Sequence, residues 1–395
     1  MKLLLTHRYF WPDTAPYALM LRTIGEGMVD AGHEVHVFAS KPSYRDVGAQ
    51  AAKRELLGRL NVRRCWVFQE NRKNPVLRAV NVVLYALALF FHVLRLRPDV
   101  VTASTFPPVL AAWWASLAAR LVGAKFVYHM MDIHPEVSGY SGGRLGRGRP
   151  AKILRWLDNQ TLRRSAAIIV LSQDMADTLA ARGLGALPVH VINNFSLDDF
   201  AAGDAPPAEL HRDPAKRRVI FAGNLGRFQN LPLLAEGVAQ CFDDHPDLDL
   251  FFLGDGAAQA DLMARWGDHP QVRFGPFLPF AQAKHLVAEA SVGLVSLTPD
   301  IYRVAYPSKV LTYAGLGVPV LALVEPESHL AQGLESAGIG AVAQAATPEA
   351  IGAALRKLLN NPPSRDMVLA WYKDTADQRH VLDQWGAMIA GLERG

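Results

Sequence analysis

Four ionisable side chains fall within eight residues in the run His129-Met130-Met131-Asp132-Ile133-His134-Pro135-Glu136. A hydroxyl that is to attack a carbon centre needs a proton acceptor beside it, and His129, Asp132 or Glu136 is of the right type. The same residues could ligate a metal. His129 and His134 are not at a recognised zinc spacing, however, so catalysis or substrate contact is the stronger reading and no metal site is expected. Taken singly, Asp132 or Glu136 could instead cap the helix that follows.

A second kind of chemistry is written in Gly223-Asn224-Leu225-Gly226-Arg227, which follows the apolar run Val219-Ile220-Phe221-Ala222. Glycines let backbone N–H groups approach a phosphate closely, and an arginine fork can grip one. Gly-x-x-Gly alone is often only a turn; its place after a buried strand, beside Arg227, gives it weight. Gly254-Asp255-Gly256 joins a strand to a helix in the same way. In Tyr306-Pro307-Ser308-Lys309, Ser308 is expected to cap a helix and Lys309 to sit in its first turn. The helix dipole disfavours a cation there. A bound anion would offset that cost, so Lys309 reads as a phosphate ligand, against the plainer reading of a solvated lysine. Near the start of the chain, Tyr9 and Trp11 could line a sugar or acceptor site, and small Thr14 and Ala15 would admit a ligand at a helix start. A packed hydrophobic loop explains those four equally well. No G-x-G-x-x-G follows the first strand, which disfavours hydride-transfer chemistry.

The elements that must position these residues form a strand–loop–helix rhythm, the mark of parallel sheets covered on both faces. Strands are predicted near 2–6, 34–39, 61–68, 99–103, 124–129, 167–171 and 189–192, then near 218–222, 248–253, 272–274, 292–297, 318–323 and 341–343. Helices are predicted near 17–31, 76–96, 108–122, 150–164 and 173–182, then near 231–242, 257–266, 280–289, 308–316, 328–337 and 348–360. The fold class is α/β, with two Rossmann-like doubly wound domains. Ligands in such sheets bind beyond the carboxyl ends of the strands, where all the motifs above lie.

A chain of 395 residues suits two domains. The domains are expected at 1–200 and 201–366, with a linker at about 198–218 carrying Pro206-Pro207, Pro214 and many charges. A helical tail, 367–395, is expected to pack back on the first domain. Residues 1–200 hold 25 Lys and Arg against 15 Asp and Glu, a balance of +10, and the remainder hold 16 against 22, a balance of −6. A basic first half attracts anionic lipid or phosphorylated ligands, and no nucleic-acid motif accompanies it. Two cysteines, Cys65 and Cys241, offer no disulfide framework, and no signal peptide is visible, so a cytoplasmic protein is expected. Val76–Leu96 is apolar from Val82 to Val93, with Arg72, Lys73, Arg78, Arg95 and Arg97 at its flanks. It is shorter than the roughly 20 apolar residues that span a bilayer. It reads equally as a buried core helix and as a helix in a membrane interface, to which Trp113-Trp114 and Arg144, Arg147 and Arg149 would add.

In order and spacing the chain resembles retaining glycosyltransferases of the GT-B fold, family four of the usual classification. The resemblance rests on Tyr9-Phe10-Trp11-Pro12, Gly32-His33-Glu34-Val35, Asp132-Ile133-His134-Pro135-Glu136, Leu171-Ser172-Gln173 and Val191-Ile192-Asn193-Asn194. It continues through Phe221-Ala222-Gly223-Asn224-Leu225-Gly226, Leu253-Gly254-Asp255-Gly256 and Pro307-Ser308-Lys309 with Tyr313, Gly317, Pro319 and Val320. The wording is closest to bacterial members that build capsule, O-antigen or exopolysaccharide, fucosamine- and fucosyltransferase-like enzymes among them. The resemblance implies a nucleotide-sugar donor as co-substrate, no cofactor and no obligatory metal. It implies retention of configuration, and a lipid-linked or oligosaccharide acceptor at the inner face of the cytoplasmic membrane. It also implies an active site in the cleft between the domains. Gly223, Asn224, Gly226, Arg227, Gly254, Asp255, Ser308, Lys309 and Thr312 would then hold the donor, and Arg227 and Lys309 would stabilise the departing diphosphate. The His129–Glu136 loop would face the sugar and the acceptor hydroxyl. One departure stands out: the family's two glutamates, eight positions apart, fall here on Val304 and Thr312. That leaves open a degenerate nucleotide-binding or scaffold protein of the same fold; a nucleotide-sugar epimerase is the further alternative.

Overall fold

The computed structural model describes every residue except 14, 43–50, 69–73, 141–145, 197–204, 227–228 and 395. The chain divides into two compact units. One comprises Met1–Asn193, Val304–Tyr306 and Val381–Gly395; the other comprises Asn194–Arg303 and Pro307–His380.

The first unit contains β1 (Lys2–Thr6), α1 (Pro16–Asp30), β2 (Glu34–Ser40), β3 (Arg54–Leu57), β4 (Leu60–Cys65), α2 (Pro75–Leu96), β5 (Val100–Ser104) and α3 (Leu110–Val122). It continues with β6 (Lys125–His129), α4 (Glu136–Tyr140), α5 (Gly148–Arg164), β7 (Ala167–Val170), α6 (Gln173–Ala180) and β8 (Val189–Val191). Its strands lie in the order β3-β4-β2-β1-β5-β6-β7-β8, all parallel except β3 against β4. Leu3, Leu4 and Leu5 of β1 are buried without interruption, as befits a strand covered on both faces. Helix starts follow capping chemistry: Asn74 accepts from the N–H groups of Val76 and Leu77 at 3.1 Å, and Ser172 accepts from that of Met175 at 3.3 Å. Gly123, at φ 77°, ends α3 in the left-handed conformation that glycine adopts without penalty.

The second unit repeats the plan with β9 (Arg217–Ala222), α7 (Leu231–Ala239), β10 (Leu248–Leu253), α8 (Gln259–Trp266), β11 (Val272–Gly275), α9 (Phe280–Ala288) and β12 (Val292–Ser296). It closes with α10 (Lys309–Gly315), β13 (Val320–Leu323), α11 (His329–Ser336), β14 (Gly340–Val342) and α12 (Pro348–Asn360). The strand order is β11-β10-β9-β12-β13-β14, wholly parallel. Two helices follow, α13 (Arg365–Ala376) and α14 (Gln378–Arg394). From Val381 onward α14 belongs to the first unit, where Leu382 lies against Gly27 of α1. A Cβ added at Gly27 would stand 3.0 Å from the Leu382 side chain, so that glycine marks the contact.

Three expectations needed correction. The antiparallel β3–β4 hairpin was not predicted; its two-residue turn, Gly58-Arg59 with Gly58 at φ 58°, is an available but short signal. β4 stops at Cys65 rather than 68, because the N–H and C=O of Phe68 turn instead to the Asn81 amide of α2, at 2.9 Å each. Val76–Leu96 is, by length and composition, long and apolar enough to cross a membrane. Even so, Tyr85, Ala86, Leu89 and Val93 are wholly buried in the sheet-facing core, so α2 is an integral layer of the unit.

Candidate functional site

In each sheet the connections run to one side from one central strand and to the other side from its neighbour. In the first unit that reversal lies between β1 and β5, and in the second between β9 and β12. Loops that diverge at such a point leave a crevice at the strand ends, the ordinary place for a ligand in a doubly wound sheet.

In the second unit the loop after β9 opens with Gly223 at φ 113°, and the loop after β10 opens with Gly254 at φ 136°. The two are pressed together: a Cβ on Gly254 would lie 2.0 Å from the Gly223 carbonyl oxygen. A Cβ on Gly256 would lie 2.3 Å from the Leu225 carbonyl oxygen. The Leu225 N–H donates to the Asp255 carbonyl at 2.8 Å, and the Gly226 N–H to the Gln229 side chain at 3.1 Å. Asn224 and Asp255 are exposed beside this glycine wall. Lys309 reaches it from the first residue of α10. Its ammonium sits 4.8 Å from the centroid of the Phe221 ring, and a Cβ on Gly223 would stand 3.4 Å from Nζ. No carboxylate accepts from Lys309 among the described residues, and burial pushes its pKa down to about 8. Ser308 makes no capping bond and is exposed, contrary to expectation. Arg227 lies outside the described residues.

Tyr313 is not placed to serve a ligand. Its hydroxyl accepts from the Ala222 N–H at 3.0 Å, it is 1% exposed, and its ring lies over Gly293, where a Cβ would meet it at 2.5 Å. Thr312 lies partly buried one turn into α10. Val304 is 1% exposed within the core of the first unit, and its carbonyl accepts from the Ile133 N–H at 2.8 Å. A glutamate side chain at that position would have to displace core packing.

In the first unit the crevice collects residues from three loops. His129 is the last residue of β6, paired in register with Ser104 of β5. Burial pushes its pKa down to about 3 and keeps it neutral. Its Nδ1 stands 2.8 Å from the Tyr17 hydroxyl, and the Trp385 ring of α14 crosses it edge-on at 5.1 Å. Asp132 is anchored by its backbone: its N–H donates to Thr105 Oγ1 at 3.3 Å, and it bridges Ala305. Its carboxyl is pushed up to about 6 by burial alone. Tyr9 stacks on Phe106 at 5.1 Å, and the Arg22 guanidinium covers Trp11 at 5.0 Å. Ala15 is buried at the N-cap of α1; Thr14 lies outside the described residues. Tyr17 and Phe106 were not singled out in the sequence. Tyr17 could have been found one residue into α1, beside the small residues already marked.

Glu136 is engaged in an ion-pair network. Its carboxylate accepts from Arg182 at 2.8 and 3.1 Å and from Arg155 at 2.8 Å. Arg182, 3% exposed in its side chain, also donates to Asp158 at 2.5 Å and to the His134 carbonyl at 2.9 Å. Tyr128 donates to the other Asp158 oxygen at 2.9 Å. With both its oxygens engaged, Glu136 fastens the 132–136 loop to α5 and α6. His134, partly buried, is pushed down to about 4 by desolvation. Among the described residues, no group of three or more His, Cys, Asp or Glu side chains is arranged to hold a metal ion.

Comparison with known proteins bears on the domains and the fold. Residues 17–194 match the family described as "Glycosyl transferase 4-like domain", and residues 216–361 match "Glycosyl transferases group 1". The chain is 24% identical over 411 residues, 99% of its length and all of the relative's, to WcaI of Escherichia coli (strain K12), named as a colanic acid biosynthesis glycosyl transferase. It is 24% identical over 291 residues, 70% of each chain, to the glycosyltransferase WbjE of Pseudomonas aeruginosa. Among solved structures, a sucrose-phosphate synthase from Thermosynechococcus elongatus superposes with a TM-score of 0.76 at 13% identity, covering 100% of this chain and 99% of that one. WaaG, a glycosyltransferase involved in lipopolysaccharide biosynthesis, superposes with a TM-score of 0.66 at 15% identity, covering 98% and 100%. Two adjoining glycosyltransferase domains on two doubly wound sheets place the chain in its family: it belongs to the glycosyltransferases of the GT-B fold.

Proposed function

We propose that the chain transfers a sugar from a nucleotide-sugar donor to a lipid-linked or oligosaccharide acceptor in bacterial surface-polysaccharide assembly. Transfer would retain configuration and require neither metal nor cofactor. The second unit takes the donor and the first the acceptor. The observation that carries this reading is Lys309, a cation held against a glycine wall with no carboxylate partner among the described residues. A diphosphate seated there gains a charge-assisted contact and backbone N–H groups together. Lys309, joined by Arg227, then stabilises the charge of the leaving diphosphate, a task other transferases give to a metal ion. In the step itself the acceptor oxygen bonds to the anomeric carbon as the bond from that carbon to the phosphate oxygen breaks. The acceptor proton passes to the departing phosphate on the same face. The products are the glycoside and a nucleoside diphosphate. One structural neighbour supports the donor class: HepE of Anabaena was solved with UDP, and with UDP and glucose. On this reading Glu136 and Arg182 position the loop that carries Asp132, and the Tyr9–Phe106 stack offers a face to an acceptor sugar.

The membrane reading has its support on α2. Val76, Val80, Val83 and Phe91 recur at helical spacing and are 40–70% exposed. Ile153 and Trp156 of α5 are also exposed. Arg54 and Arg63 face each other across the β3–β4 hairpin, and both Arg54 and Arg95 of α2 lower the basicity of Arg63, after burial. Like charges opposed on an antiparallel pair are unfavourable unless an anion lies over them. Anionic headgroups beside an apolar helix face supply that condition. Trp113 and Trp114 pack instead within the helix layer, crossing Phe90 and Arg164.

Calorimetry with a panel of nucleoside diphosphates tests the central assignment. The parent chain is expected to bind at least one, and Lys309→Met to lose at least tenfold in affinity, the worth of one charge-assisted contact at about 1.5–3 kcal/mol. Absence of binding by the parent chain would sink the assignment.

A further inference from the structure

Resting on the transferase reading, we propose that Tyr17 fixes His129 as the tautomer with its proton on Nε2, so that His129 presents a hydrogen-bond donor to a sugar oxygen and does not accept the acceptor's proton. Only one proton can lie between the Tyr17 oxygen and His129 Nδ1, which are 2.8 Å apart. Were the imidazole the donor, the phenolic proton would need another acceptor. Tyr17 has none among the described residues. Were the imidazole doubly protonated, a positive charge would sit against the Trp385 edge and near His7, with no carboxylate in contact among the described residues. The arrangement left is a Tyr17 O–H donating to the Nδ1 lone pair. A neutral imidazole carries one N–H, and it is then on Nε2.

The surroundings hold this pair in place. The His7 ring meets Tyr17 edge-on at 4.6 Å, and His7 Nδ1 is itself tied to the Tyr9 carbonyl at 2.7 Å. Trp385, 1% exposed, closes the opposite side of His129. Tyr17 and His129 lie 112 residues apart in sequence and meet where β1, β5 and β6 end. Nε2 makes no hydrogen bond among the described residues, which leaves its N–H available. Tyr17 is therefore a positioning residue, acting through His129. The acceptor proton must then leave by another route, consistent with its transfer to the departing phosphate.

The test is nitrogen-detected NMR of the full chain labelled at histidine. The expected result is a His129 signal with Nε2 protonated and Nδ1 hydrogen-bonded, unchanged from pH 5 to pH 9. Tyr17→Phe should shift the Nδ1 resonance and lower kcat about 3- to 10-fold, the worth of one neutral hydrogen bond. Nucleoside diphosphate affinity should stay as in the parent. At position 129 itself, His129→Gln, which keeps a donor, should retain more activity than His129→Glu, which keeps only acceptors. A proton on Nδ1 in the parent chain, or His129→Glu outperforming His129→Gln, overturns the proposal. The NMR result stands without any transfer assay, so a failure of the transferase reading is seen separately, as absence of donor binding.

Discussion

Lys309, proposed as the diphosphate ligand, is a side chain that costs the folded chain stability. A lysine with no carboxylate partner among the described residues, pushed down to about 8 by burial, destabilises the folded chain at neutral pH. Its folded value lies below its unfolded value. The unfolded chain therefore binds more protons between about pH 8 and 10.5, and stability rises with pH across that window. Lys309→Met should abolish this rise and unfold at higher denaturant, by roughly 1–3 kcal/mol at pH 7. A variant less stable than the parent would mean that the ammonium has a compensating partner. Asp132 sets the other limb of the pH profile. Its carboxyl is raised to about 6, so its anionic form appears as pH rises through that value. The charged form of Lys309 is lost as pH rises through about 8. The profile of kcat/KM should be bell-shaped with limbs near those values. In Asp132→Asn the acid limb should vanish; its persistence would assign that limb to another group. The buried ion pair between Arg182 and Asp158 belongs to the same scale. Breaking it with Arg182→Ala should cost the first unit about 3–5 kcal/mol, measured by urea unfolding.

Among the elements, α2 is the one whose sequence admits two readings. Buried Tyr85, Leu89 and Val93 make it a core helix, and exposed Val80, Val83 and Phe91 give it an apolar outer face as well. Phe91→Gln with Val83→Asn should leave unfolding unchanged and weaken sedimentation with vesicles containing phosphatidylglycerol. Equal sedimentation of the double variant would remove α2 from the interface. The alternation of apolar strand runs with helices was legible because each is local: Leu248–Leu253 announces a buried strand and Val76–Leu96 a helix. The β3 strand was not, since four residues with Arg54 and Glu55 carry almost no apolar pattern. Of the candidate site, the glycines after β9 and β10 and Lys309 were legible because strand ends name the loops that matter. The Tyr17–His129 bond was not, because it joins residues 112 apart. Nor was the engagement of Glu136, whose partner Arg182 stands 46 residues away beyond α5. Carboxylate identity is written in the sequence; whether an arginine has already claimed it is a matter of packing.

At the scale of the whole molecule, each unit has its own sheet and its own hydrophobic core. The candidate diphosphate site belongs wholly to the second unit, and the Tyr17–His129–Asp132 group wholly to the first. A nucleoside diphosphate at 100 times its Kd should stabilise the second unit by about 2.7 kcal/mol. Hydrogen exchange should show protection gained in β9, β10 and α10; protection gained only in β1 and β6 would move the donor to the other unit. The C-terminal helix ties the end of the chain to its beginning: Trp385→Ala should destabilise the first unit by about 3–5 kcal/mol. Glycosyl transfer itself is tested most directly by nucleoside diphosphate release from a panel of nucleotide sugars, with bacterial lipid extract as acceptor. The parent chain is expected to release diphosphate from at least one donor only when acceptor is present, and folded Lys309→Met to release it at least tenfold more slowly. Release from no donor, or equal turnover by Lys309→Met, would contradict the assignment.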